Sequence, residues 1–282
     1  MAATVFCETL LLFYCYAFLG WCAEVSYHAV VTRRFVNRGF LSGPLCPIYG
    51  FGVMAVILLL SPIAENGPLL FTAALVLTSF LEFLTGVLLE KLFHARWWDY
   101  SQEPFHLGPY VCLQFSLIWG FACVFVVRLL HPLLVSLITL LPLWLAILLL
   151  SLFSAGLVAD LWTTAASATR MFRHLAHLEA LSKEIQHLSD RLGEKISDST
   201  LELLELQKQG KERLVEYKEQ LDEHREQLVQ RLETAKETYR QKLSALPRSH
   251  RRLLRAFPSL RSIAHPQMLK TLREALESLR KD

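Results

Sequence analysis

The sequence predicts an all-α protein, a polytopic membrane helix bundle of about five spans followed by a cytoplasmic helical coiled coil. Three observations carry that expectation. Residues up to about 160 hold few charges and nearly all the tryptophans, whereas residues from about 170 onward are rich in Glu, Lys, Arg, Gln and Leu. The first part contains about five apolar runs, and a membrane-crossing helix needs about 20 mostly apolar residues. Beyond Asp160 the leucines recur at alternating three- and four-residue steps, the seam of a coiled coil. The expected domains are a transmembrane bundle over 1–165 and a cytoplasmic helical region over 170–282. Mean hydropathy is positive, +0.33, despite the charged second part. The net charge of +3 is too small to argue for a nucleic-acid partner.

The first span is read over 9–31. It lacks a basic leading region, exceeds the apolar core of a signal peptide in length, and carries Glu24 with no small-residue cleavage pattern. It is therefore expected to be a retained membrane helix. The stretch Phe35 to Gly52 follows, with Gly43, Pro44, Pro47, Gly50 and Gly52 alternating with apolar side chains after Arg38. Gly and Pro break helices, and freed backbone at membrane depth survives only where protein or a water-filled cavity satisfies it. This predicts a broken, protein-packed entry into a second span, 47–60. The remaining spans are read over 69–89, 108–130 and 133–159, with a turn at His131-Pro132 and a kink at Pro142.

Lys and Arg in the short connections set the orientation. Arg33, Arg34 and Arg38 fall in the first connection, Lys91 and Arg96 in the third, and Arg170 and Arg173 open the tail. The second connection, Ser61 to Pro68, has no basic residue, and Arg128 beside the fourth turn can snorkel to the headgroups. The amino terminus is expected outside and the carboxyl terminus in the cytoplasm. In the tail, Leu178, Leu181, Ile185, Leu188 and Leu192 form a seam, which Gly193 to Thr200 is expected to interrupt. A second helix is read from Leu201 to Leu246 on Leu214, Leu221, Leu228, Leu232 and Tyr239, stopped by Pro247. Arg248 to Arg261 is basic with interspersed Leu and Phe, a solvated helix face or a contact for anionic lipid, and a short helix closes at Gln267 to Arg280.

Ionisable side chains inside a bilayer are costly, so they face the protein interior and find partners. Glu24 and Glu82 each lie about seven residues before the inner end of their spans, roughly 10 Å below the surface at 1.5 Å per residue. Gly20, Glu24 and His28 share one stripe, and Glu82, Gly86 and Glu90 another. Their glycines would let helices approach and bring the two carboxylates together. Arg38 is the expected partner of Glu24, folded back by the broken segment. Trp97-Trp98-Asp99-Tyr100-Ser101 reads as an interfacial aromatic belt, with Asp99 capping the next element or binding an arginine. Glu24, Arg38, Glu82, Glu90 and Asp99 are thus a candidate polar pocket, with Gly43, Pro44, Pro47 and Gly50 as its helix-break segment. Buried ion pairs that merely fix packing are the plainer reading. Glu24 with Tyr49-Gly50-Phe51, and Glu82 with Trp119-Gly120-Phe121, outline a parallel internal repeat; chance likeness between apolar helices is the alternative.

Six cysteines lie in the membrane part without a CxxC pair, which supports neither a metal site nor a disulfide frame. A phosphate-binding G-x-x-x-x-G-K-[ST] loop, G-x-S-x-G and H-E-x-x-H are all missing, so no catalytic residue and no cofactor is assigned.

Gly20-Trp21…Glu24, Asn37-Arg38-Gly39-Phe40-Leu41…Gly43-Pro44…Cys46-Pro47-Ile48-Tyr49-Gly50, Glu82…Gly86…Glu90, Trp97-Trp98-Asp99-Tyr100-Ser101 and Cys112…Trp119-Gly120 resemble the bacterial membrane family described as putative ABC-transporter type IV, over about residues 8 to 150. The resemblance implies a non-enzymatic, permease-like protein of the bacterial inner membrane with its ATPase on a separate subunit, and it leaves the substrate open. The lipid bilayer is the other expected partner. The competing reading is a membrane-anchored scaffold or sensor without transport activity, whose coiled coil self-associates or binds a partner protein. An intramembrane enzyme or lipid modifier is a third class.

Overall fold

The computed structural model describes residues 2–206 and 211–278. The chain divides into two compact units, Met1–Arg170 with Arg248–Ala264 and Met171–Pro247 with His265–Asp282.

In the first unit, α1 (Ala2–Thr32) pairs with α2 (Pro47–Leu60), and α3 (Gly67–Phe93) pairs with α4 (Leu113–Phe125). A five-residue π turn, Val126–Leu130, carries α4 directly into α5 (His131–Ile138). Next comes α6, Leu143–Leu206, 64 residues without a break. Among the described residues four helices are long and apolar enough to cross a membrane: Ala3–Thr32, Gly67–Phe93, Leu113–Ile138 and the helix beginning at Leu143. At 14 residues α2 is about 21 Å long, short of a roughly 30 Å hydrocarbon core. Phe6, Phe80, Phe121 and Trp144 turn outward, as side chains facing lipid do.

Two ends can be told apart. At the loop end, Phe40 of the α1–α2 connection packs on Phe93 and Trp97 of the α3–α4 region, and Asp160 of α6 bonds to Ser42 and Gly43. At the turn end, Arg128 donates to the carbonyls of Ala64 and Glu65 between α2 and α3. α2 runs from the loop end at Cys46 to the turn end, and α3 returns from Gly67 beside Arg128 to Phe93 at the loop end. One core joins Cys7, Leu11, Leu12, Tyr14 and Tyr16 of α1 to Ile138, Ala146 and Leu150; another joins Val56, Leu60, Leu70, Ala74, Cys123 and Val127.

The first unit is completed by α8 (Arg248–Ala256) and a two-residue strand, β4 (Arg261–Ser262), which pairs antiparallel with β1 (Ala95–Arg96). A second short ribbon pairs β2 (His106–Leu107) with β3 (Val111–Cys112). In the second unit, Leu188 of distal α6 packs on Leu232 and Ala235 of α7 (Lys211–Ser244), with Ile185, Leu192 and Leu228 around them. Tyr239 donates to Met268 Sδ of α9 (Pro266–Ser278).

Four expectations are corrected. The chain does not turn at His131-Pro132. Pro132 lacks the N–H that would bond to Arg128, and the π turn containing Arg128 accommodates that loss, so the helix runs on to Ile138. Pro142 kinks nothing: it precedes α6, and its carbonyl accepts from Leu145 and Ala146. Gly193 to Thr200 does not interrupt the helix. One glycine costs only about 1 kcal/mol, and the Ser199 and Thr200 hydroxyls bond back to Lys195 and Ile196 carbonyls instead of capping a new helix. Lastly, Arg248 to Arg261 is not a solvated face, since Leu253, Leu254, Ala256 and Leu260 are buried. The side chain of Leu214 and the helix end at residues 279–280 lie outside the described residues.

Candidate functional site

The broken segment folds back along α1 rather than crossing open space. The chain leaves α1 through Arg33 in a left-handed conformation (φ 55°), and Asn37 then anchors it. Trp21 Nε1 donates to Asn37 Oδ1 at 2.8 Å, Gly39 N donates to the same oxygen, and Asn37 Nδ2 donates to the Ser42 carbonyl at 2.7 Å. Cys46 N reaches the Ala17 carbonyl at 3.0 Å, four turns back from the end of α1. Two charged side chains satisfy the peptide groups between. Asp160 accepts from Ser42 N at 3.0 Å and Gly43 N at 2.7 Å, and Thr164 steadies it at 3.0 Å. Arg252 of α8 donates to the carbonyls of Gly39, Phe40 and Leu41 at 3.1, 2.7 and 2.9 Å. The amides of Gly39, Ser42, Gly43 and Cys46 and the carbonyls of residues 39–42 thus have protein partners, which is what irregular backbone among membrane helices needs.

Arg38 lies on the returning strand of this fold, its Nε 3.2 Å from Glu24 Oε2. The other oxygen of Glu24 accepts from the Tyr49 hydroxyl. Tyr49 is in place because Gly20 leaves room for it: a Cβ on Gly20 would sit 2.3 Å from Tyr49 Cγ. Gly86 does the same for Tyr110, at 2.5 Å, and Tyr110 donates to Glu90, which also accepts from Arg96 Nε at 2.8 Å. So the glycines seat tyrosines; they do not draw α1 and α3 together, as the sequence suggested. Glu82 accepts from Tyr100 at 3.3 Å, and Tyr100 stacks on Phe115. Burial first, then Glu82 and Cys112, and further Glu24, push the Tyr100 hydroxyl well above its ordinary range. Tyr100 is thus within electrostatic reach of both carboxylates.

Asp99 and Glu90 belong to a second cluster around Arg96. Asp99 accepts from Ser101 N at 2.9 Å and pairs with Arg261 at 3.0 Å. Burial alone would raise its carboxyl, but the Ser101 hydrogen bonds and the charges of Arg261 and Arg96 outweigh that and lower it. The expected aromatic belt is not a belt at Trp97. That side chain is 3% exposed, enclosed edge-on by Phe40, Phe93 and Phe257. Gly43 lies against Asp160, Pro47 opens α2, and Gly50 is covered by the Phe13 ring.

The two hairpins repeat one contact pattern. Phe13 covers Gly50 and meets Phe51 at 4.8 Å; Phe71 covers Gly120 and meets Phe121 at 4.6 Å. Eleven residues beyond these phenylalanines stand Glu24 and Glu82. This is the register read from sequence. Asp160, Arg252 and Tyr100 were not singled out from sequence as partners, because nothing local marks them. Two hollows of about 620 and 490 Å³ are lined mostly by apolar residues around Trp162 and around Phe105, and contain none of the polar residues named. No metal-holding group occurs among the described residues.

The family model described as Putative ABC-transporter type IV matches residues 11–165, more than half of the chain. No curated protein matches, and no solved structure matches.

Proposed function

The chain belongs to the family described as Putative ABC-transporter type IV, and from that membership we propose that it is the permease-like subunit of a transport system. It is a multi-pass membrane protein by its four long apolar helices and its family. In this reading α2 is a fifth, short crossing, entered through the broken segment. What supports it is that α2 runs between the loop end, at Cys46, and the turn end, where Arg128 holds Ala64 and Glu65. With five crossings, Arg33, Arg34, Lys91 and Arg96 at one end support a cytoplasmic location for that end and an outer location for the amino terminus. Any nucleotide hydrolysis falls to a separate ATPase subunit, since this chain carries no phosphate-binding loop.

The cargo handles are Glu24, Arg38 and Glu82 in a polar pocket open to the cytoplasm. The observation that carries this is the ion pair of Glu24 and Arg38, roofed by Tyr49 and held on backbone that Asp160 and Arg252 clamp. Packing alone does not need a re-entrant segment built so carefully around one ion pair. The test compares the distribution of small solutes between cells and medium for a deletion strain complemented with wild type or Glu24→Gln. A solute class displaced by deletion, and not restored by Glu24→Gln at normal membrane abundance, supports transport. No displaced solute, or collapse of the variant's abundance, contradicts it.

The scaffold or sensor reading draws support from Arg248–Ala264, which binds both loop-end connections through Arg252, Phe257 and β4. Replacing residues 172–246 by a flexible link keeps Arg252 in the chain. Unaltered function in that variant would sink the scaffold reading.

A further inference from the structure

Apart from Glu8 in the second turn of α1, three carboxylates stand on α1 and α3, and two of them are built alike. Glu24 has Arg38 and the Tyr49 hydroxyl; Glu90 has Arg96 and the Tyr110 hydroxyl. Glu82 departs from that pattern. It has a tyrosine, Tyr100 at 3.3 Å on Oε1, and no Lys, Arg or His within ion-pair distance among the described residues. Its Oε2 is buried without a hydrogen-bond partner.

The groups around Glu82 sharpen this. From the α3–α4 connection it faces Tyr100, with Cys112 behind. From α1 it feels Glu24, a like charge already matched by Arg38, and Tyr49 of α2 is spent on that same Glu24. On α4, Ser116 accepts from the Ser79 hydroxyl one turn before Glu82, and Phe115 stacks on Tyr100. Among the described residues no element brings a cation within ion-pair distance of Glu82. An ionised carboxylate in such a place is uncompensated, and groups so placed take up a proton instead.

We propose that Glu82 is the proton-binding site of the bundle. At rest it is the neutral acid, with the proton on Oε2. On release, the Oε2–H bond breaks, the proton passes to water at the loop end, and the negative charge left on the carboxylate is held by the Tyr100 hydroxyl. The pocket containing Glu24 and Arg38 thereby changes its charge by one with each proton bound. This deepens the transport reading and rests on it for its purpose: cargo movement would be proton-linked. The proton site itself can be tested apart from transport.

The test treats membranes holding the full chain with dicyclohexylcarbodiimide, which adds to protonated carboxyls in apolar surroundings, and maps adducts by mass spectrometry over a pH series through neutrality. Adduct on Glu82 should exceed that on Glu24 and Glu90 by at least about tenfold, the weight of one pK unit, and should fall as pH rises. Tyr100→Phe, which removes the group steadying the ionised form, should move that fall to higher pH. Equal labelling of the three carboxylates overturns the proposal. So does a Glu82 yield that ignores pH, or no Glu82 adduct at any pH. Failure of the solute test with this labelling intact would remove transport and leave the proton site standing.

Discussion

Arg252→Ala should loosen the re-entrant segment without unfolding the bundle. The guanidinium supplies three hydrogen bonds to consecutive carbonyls, of Gly39, Phe40 and Leu41. Gly39 and Leu41 are buried, so water replaces little of what is lost there. Charge-assisted bonds contribute about 1.5–3 kcal/mol and a stranded buried carbonyl costs about 1–3, so with two carbonyls stranded a local loss of about 2–6 kcal/mol is expected. At about 1.4 kcal/mol per tenfold this speeds amide exchange in residues 39–46 by roughly 30-fold to about ten-thousand-fold, where exchange proceeds by local opening. Arg252→Lys keeps the charge but not the fork and should fall between. The assay is hydrogen–deuterium exchange with mass spectrometry on the protein in lipid nanodiscs. Unchanged exchange over 39–46 in Arg252→Ala, or full protection in Arg252→Lys, would refute the clamp.

Gly20→Ala places a Cβ 2.3 Å from Tyr49 Cγ, so it should displace Tyr49 from Glu24 and cost about 2–4 kcal/mol of overpacking and lost hydrogen bonding, read as a lower melting temperature in nanodiscs. Gly52→Ala, with nothing within 4 Å, is the matched control and should be neutral or slightly stabilising; equal effects at both sites would contradict the argument. The Asp99 carboxyl is lowered in the folded protein, so its pairing with Arg261 stabilises above the unfolded value of about 3.9 and is lost as pH falls through the lowered folded value. Exchange over residues 258–264 should accordingly rise in strong acid and, at neutral pH, in Asp99→Asn; acid-insensitive exchange in wild type would count against it.

Much of this fold was legible because membrane spans announce themselves by local composition. The pairing of Arg38 with Glu24 followed from depth, charge and a broken segment that could fold back, all within one stretch of chain. What escaped was tertiary. Asp160 and Arg252 lie more than a hundred residues from the peptide groups they satisfy, and an isolated acid or one arginine in a basic run carries no sign of such a role. The π turn was missed because His131-Pro132 looks like a loop, whereas a wider helical turn absorbs one missing N–H at little cost. Gly193 misled in the same direction, since a helix already formed on both sides carries through a single glycine. Gly20 and Gly86 were recognised as close-approach positions, but which side chain fills them depends on α2 and on the α3–α4 connection. The tyrosine on each carboxylate follows from that and from nothing in the local pattern.

The central claim is a polar pocket at membrane depth whose open end, carrying the α1–α2 connection, faces the cytoplasm. Single cysteines at Ser42, at the loop end, and at Glu65, at the turn end, in a background without the six native cysteines, can be probed with a membrane-impermeant maleimide in right-side-out and inside-out vesicles. Ser42→Cys should react in inside-out vesicles only, and Glu65→Cys in right-side-out vesicles only. Reaction of both from the same side would mean that α2 does not cross, and the account of the pocket would fail with it.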